Sequence, residues 1–186
     1  MDTFLVSVPV RKCACVAAGT AVMAAALSLG GAAVAAAQGC RGAHSQSAPV
    51  GATLCLINVE RRSRGLAPLS ANATLARAAR RHAADMVLRG YFSHISPSGM
   101  TFTDRLRRSG YLRRTCSWSA GETLAWGIGT WATPAGTVSA WMHSPPHRAV
   151  LLGRSYREAG IGAVGGVPGN RFAGATYAGE FGRRRC

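Results

Sequence analysis

The chain changes from helical periodicity to glycine-rich β segments partway along, and this order restricts the folds open to it. Leu54 and Ile57 fall on one helical face, with Arg61 beside them, and Gly65 stops that helix. Leu75, Ala79, Ala83 and Met86 repeat at three- or four-residue spacing between an Asn72 cap and a closing Gly90. The end of the chain reads differently. Ala159–Val164 and Arg171–Phe181 are strand candidates joined by a hairpin over Gly165–Gly169. Helices first and paired strands last imply an α+β class with an antiparallel sheet.

Between these blocks, Phe92-Ser93-His94 and Pro97-Ser98-Gly99 read as a loop, and Thr101–Ser109 as a short helix ended by Gly110. Thr115–Ser119 reads as irregular, and Gly127-Ile128-Gly129 with Pro134 as another loop. Val138–Met142 reads as a short helix broken by Pro145-Pro146. The helix over Leu75–Met86 carries Arg77, Arg80, Arg81 and Arg89 on its other face, so that face should meet solvent.

Residues 1–37 are expected to be a signal peptide rather than folded domain. Arg11-Lys12 forms a positive start, Val16–Leu29 is apolar and uncharged, and Ala35-Ala36-Ala37 suits a signal peptidase. An uncleaved membrane anchor is the alternative. Cleavage near Ala37 leaves an extended, polar lead-in over 38–52 and one domain over 53–186. The 149 residues from position 38 onward can bury a core of ordinary size. They carry 20 basic residues, all Arg, against 6 acidic ones, a formal charge of +14. Arginine-rich codon usage accounts for such a bias; attraction to an anionic envelope polymer or lipid is the functional alternative. No base-reading motif appears, so a nucleic-acid role is not expected. A secreted monomer is.

Four cysteines lie beyond residue 37: Cys40, Cys55, Cys116 and Cys186. An even number in an exported chain argues for two disulfides, and four cysteines allow three connectivities. Cys40–Cys55 with Cys116–Cys186 is favoured. The first would staple the lead-in to the first helix, and the second would tie the C-terminus to the middle of the chain.

Three segments hold the chemistry: Tyr91-Phe92-Ser93-His94, Ala120-Gly121-Glu122, and Trp141 through Ser144-Pro145-Pro146-His147-Arg148. In order and spacing they resemble the signature of the CAP superfamily of cysteine-rich secretory, antigen 5 and pathogenesis-related proteins, in its bacterial SCP-like extracellular branch. The likeness runs from about Leu54 to Gly182. Leu56-Ile57-Asn58, Gly65-Leu66, Gly160-Ile161-Gly162 and Tyr177 with Phe181-Gly182 also match. The resemblance implies an α-β-α sandwich with a central antiparallel sheet and a His/Glu cluster in a central cavity. It also implies apolar ligands such as sterols or fatty acids as one ligand class. The fold hosts several activities, so none transfers with it.

One departure stands out. Ser144 occupies the position where animal and plant members carry a second glutamate, which reduces the cluster to His94, Glu122 and His147. Glu180 is a candidate replacement whose face alternation alone leaves open. Two His and one Glu could hold Zn²⁺ or another divalent cation with an open position, as catalytic zinc sites do. Hydrolysis would also need a general base, and the missing glutamate removes the obvious one. Three readings stay open: a buried polar network that holds loops together, a metal or small-ligand site, and a metal-dependent hydrolase using His94, Glu122 and His147. Ser93, Ser144 and Trp141 are expected to line the pocket. Binding without turnover is the favoured function.

The remaining signals are weaker. His82 should be a packed helix residue, and His143 and His44 should be exposed. A Ser–His nucleophile lacks its elbow motif. Trp118, Trp126 and Trp131 pack in the core by default, with an aromatic groove for an apolar or sugar ligand as the alternative.

Overall fold

The computed structural model describes residues 39–186. The expected signal segment 1–37 lies outside the described residues. The first helix, α1, spans Pro49–Arg62, so the expected lead-in over 38–52 is already helical at its end. Proline suits the first helical turn because its missing N–H would have no partner there. Thr53, the expected start, lies one turn in and donates its hydroxyl to the Pro49 carbonyl at 2.6 Å. Arg61 is buried at the end of α1. Its guanidinium donates to the carbonyls of Ala67 at 2.9 Å and Leu151 at 2.6 Å.

Asn58 receives the Leu69 N–H at 2.8 Å and donates to the Leu69 carbonyl at 3.0 Å, which fixes the connector. The two-residue strand β1 (Ser70–Ala71) follows, then α2 (Ala73–Arg89). Asn72 caps α2 by accepting from the amides of Thr74 and Leu75, and Gly90 closes it at φ +69°. A short helix α3 (Phe102–Arg108) starts at a reciprocal capping box between Thr101 and Asp104.

The main departure from the sequence reading comes next. Ser117–Gly127 is an 11-residue strand, β2, not irregular chain followed by a loop. It pairs antiparallel with the last strand from Ser117↔Arg185 to Gly127↔Ala175. After a 3-10 turn at Gly129–Ala132 comes α4 (Pro134–His143). Pro145-Pro146 does break α4, but it also opens a further helix, α5 (Pro145–Leu151), which sequence reasoning left unassigned. The hairpin strands are β3 (Glu158–Val167) and β4 (Asn170–Arg185).

The sheet order is β1-β3-β4-β2. Its three long strands are antiparallel, as expected, while β1 adds a short parallel pair to β3. α1, α4 and α5 cover one face, packed through Ile57, Trp141 and Leu151 on Ile161, Tyr177 and Phe181. α2 covers the other, with Ala79, Ala83 and Met86 on Leu124 and Ala178. This is the three-layer α-β-α arrangement. α2 sits unusually close to β3 because Gly160 and Gly162 face it, and a Cβ at either would overlap the backbone of α2. Both favoured disulfides are present, Cys40–Cys55 and Cys116–Cys186.

Candidate functional site

β2 is an edge strand of the sheet, and it brings Glu122 to His94. Glu122 sits mid-strand with its side chain only 1% exposed. The loop after α2 lays His94 against it: His94 Nδ1 lies 2.7 Å from Glu122 Oε1. An ionised carboxylate only accepts, so Nδ1 donates and Nε2, on the far side of the ring, is left for the cleft. The His94 side chain is 33% exposed, so the ring reaches solvent while its partner does not.

The loop that carries His94 is held from behind. The buried His82 ring on α2 meets the Ser93 carbonyl at 3.0 Å through Nε2. Tyr91 donates to Asp85 at 2.5 Å. Burial pushes the His82 imidazole down to about 4, so the ring is neutral. His82 is thus the packed helix residue expected.

Sequence reasoning missed one member of the site. Arg105 on α3 is buried, and its Nη2 donates to Glu122 Oε2 at 2.5 Å. Both terminal nitrogens also donate to the His94 carbonyl at 3.1 Å, and Nη1 to the Met100 carbonyl at 3.2 Å. One guanidinium therefore ties the loop, α3 and β2 together. A signal existed: Arg105 follows Phe102 by one helical turn and adjoins Leu106, on the buried side of α3. Among the 20 basic residues from position 38 onward, all arginine, it did not stand out.

Glu180 resolves to the α2 face, paired in register with Glu122 across β4 and β2. It is fully buried, and neither oxygen makes a well-formed hydrogen bond. Burial, the Glu122 charge and contact with that carboxylate push Glu180 well above the ordinary carboxylate range. Burial and the facing Glu122 charge both favour its protonated form. Burial also pushes Glu122 upward, but the His94 hydrogen bond and the Arg105 charge outweigh it and hold Glu122 below its ordinary value.

His147 arrives from α5 on the other side of the strand. Its Nδ1 is 2.9 Å from Ser144 Oγ. Burial lowers its pKa and the nearby His94 charge lowers it further, so the two histidines share one electrostatic neighbourhood. The other expected pocket residues are placed differently. Ser93 Oγ accepts from the Ile95 amide at 3.1 Å and serves the loop. Trp141 lies in the core and donates Nε1 to the Leu124 carbonyl at 3.0 Å. His143 and His44 are exposed, as expected.

The default expectation for the other tryptophans does not hold. Trp118, Trp126 and Trp131 are 42%, 43% and 53% exposed, and Ile128 beside them 56%. Trp118 and Trp126 share the strand face of Glu122, one toward each end of β2.

A family model described as CAP, Cysteine-rich secretory protein family, matches residues 54–177. The chain belongs to the CAP family. Among curated relatives it is similar to the Bacillus subtilis protein named Uncharacterized protein YkwD, at 37% identity over 109 residues. That match covers 59% of this chain and 40% of the relative, so the CAP protein described here spans less than half of that relative's length. Among solved structures it is similar to an extracellular protein containing a SCP domain from Bacillus anthracis. The TM-score is 0.59 at 27% identity, covering 72% of this chain and 39% of that one. An outer surface protein of Borrelia burgdorferi shares the fold, with TM-score 0.59 at 21% identity over 71% of this chain and 90% of that one.

The donor set of this CAP domain does not fit a divalent cation as it is arranged. Among the described residues, no group of three or more His, Cys, Asp or Glu side chains comes together to hold one. Glu122 has one oxygen on His94 and the other on Arg105, whose fixed positive charge stands where a cation would approach. Charge balance at Glu122 is met by a guanidinium instead.

Proposed function

We propose that this CAP-domain protein acts outside the cell by binding, and that its ligand is a small apolar molecule from an envelope, such as a lipid acyl chain. The observation that carries this reading is the exposure of Trp118 and Trp126 on the β2 face that carries Glu122, with Ile128 and Trp131 exposed just after the strand. Monomeric proteins seldom leave several large apolar side chains uncovered together unless they serve recognition. Trp118 and Trp126 lie toward the two ends of β2 on the face of Glu122, with the His94–Glu122 pair between, and Ile128 and Trp131 are exposed just beyond the strand. A polar group placed within an apolar wall is the usual make-up of a site that both holds and orients a ligand. The His94 Nε2 would receive the ligand's polar end. The extracellular character of the Bacillus anthracis neighbour supports the location. Among the described residues no helix is long and apolar enough to cross a membrane.

Hydrolysis is not proposed. Glu122 is engaged on both oxygens, and Glu180 is fully buried in surroundings that favour its protonated form, so neither is placed as a general base. The test is a titration with a fatty acid that fluoresces on binding, with wild type beside a Trp126→Ala/Trp131→Ala variant. The reading expects saturable binding that weakens at least tenfold in the variant. Absence of saturable binding by the wild type would dismiss it.

A further inference from the structure

A concavity lies between α2, the loop at 96–100 and α3. Its volume is about 340 Å³. Five arginines line it, and Asp85 is the one carboxylate among its lining residues. Asp85 already accepts from Tyr91 at 2.5 Å, and its other oxygen is 3.8 Å from Arg89. Arg105 is committed to Glu122. Arg77, Arg81 and Arg108 have no ion-pair partner among the described residues.

The spacing is what makes this more than a basic surface. Arg77 and Arg81 are four apart on α2, so their guanidiniums share one helix face beside the cavity. Like charges at that spacing destabilise a helix slightly, and Asp85, one turn beyond Arg81, forms its ion pair with Arg89 instead. Arg108 reaches the cavity from the last turn of α3, and Ser98 adds a hydroxyl from the loop. Ala78 and Met100 supply a small apolar wall. Guanidinium forks that line one cavity from two helices can match the oxygens of a tetrahedral anion, and a site of this volume admits a small organic group attached to it.

We propose that this cavity is a binding site for a phosphomonoester, recognised by Arg77, Arg81 and Arg108. The same chemistry is offered by a soluble phosphate ester and by the headgroup of phosphatidic acid. The recognising arginines take no part in the apolar site proposed at β2, although Arg105 and His82 border both. The experiment uses the purified protein with three probes: inorganic phosphate and glycerol 3-phosphate by calorimetry, and phosphatidylcholine vesicles with and without phosphatidic acid by co-sedimentation. Arg77→Ala/Arg81→Ala is compared with Arg154→Ala/Arg171→Ala, which removes the same charge from exposed positions elsewhere. All four side chains are exposed, so folding should survive either pair.

The expected result is binding of a phosphomonoester probe that weakens at least tenfold in the Arg77/Arg81 variant and less than twofold in the Arg154/Arg171 variant. Arg77→Lys/Arg81→Lys should fall between, because lysine keeps the charge and loses the fork. Binding of the soluble ester identifies a free ligand; binding only of phosphatidic acid vesicles identifies a lipid headgroup. Equal loss in both alanine pairs would reduce the effect to net charge and overturn the site. So would failure of every probe to bind.

Discussion

Arg105 on α3 donates to Glu122 on β2 at 2.5 Å while both its terminal nitrogens hold the His94 carbonyl at 3.1 Å. The carboxylate and the loop that covers it therefore share one buried cation. Removing the guanidinium would strand a buried negative charge, and breaking such a pair from one side costs about 3–5 kcal/mol. Arg105→Ala is expected to lower the unfolding free energy by that order in urea titration. A change under about 1 kcal/mol would mean that water replaces the guanidinium without penalty.

Glu122 and Glu180 face each other in register but ionise in opposite directions. Glu180 holds its proton in the folded state above the pH at which the unfolded chain releases it. Its contribution is thus full below the ordinary carboxylate range and declines as pH rises toward its folded pKa, by about 1.4 kcal/mol per pH unit. Glu180→Gln removes that titration. Its stability relative to wild type should rise between pH 5 and pH 8, read from urea midpoints. A difference that stays constant over that window would show that Glu180 ionises normally.

His82 has the opposite sign. Its folded pKa is pushed down to about 4, whereas the unfolded imidazole takes a proton near 6.5. Its stabilising contribution is present above about 6.5 and is lost as pH falls toward 4. Glu122, also held low, adds a loss that begins lower, within the carboxylate range. His82→Gln should flatten the wild-type decline between pH 6.5 and 5. An unchanged slope there would place the acid sensitivity elsewhere.

Parts of this architecture were legible because the local chemistry is strong. Asn72 and Gly90 bracket α2 with a cap and a left-handed glycine, and both act as read. The favoured cysteine pairing, one of three the residues leave open, is the one formed. β2 was obscured for two reasons. Gly121 and Gly127 look like loop residues, yet each is small because a neighbour fills its Cβ space: the Tyr156 hydroxyl at one, the Trp131 backbone at the other. The strand's edge position also leaves Trp118 and Trp126 exposed, so no alternation of buried and polar residues marks it. Pro145-Pro146 was read as a stop, although proline ends one helix and begins another equally well. Arg105 was hidden, and the face of Glu180 left open, because burial of a charged residue is decided by tertiary contacts, which local periodicity does not carry.

Gly162 faces α2 so closely that a Cβ would meet the backbone around Arg80. The obstacle is backbone rather than a flexible side chain, so the helix itself must move. Gly162→Ala is expected to cost about 3 kcal/mol, at the upper end for overpacking. Gly165→Ala, where nothing lies near the added carbon, should cost under about 1 kcal/mol. Equal melting temperatures for the two variants would show that α2 yields freely.

The account rests on a guanidinium, not a metal, balancing Glu122. Zinc titration by calorimetry on the purified protein, wild type beside His94→Ala/His147→Ala, tests that most directly. The prediction is no stoichiometric binding in either protein. One-to-one binding by the wild type that disappears in the double variant would contradict it, and would mean that Arg105 withdraws to let a cation onto Glu122.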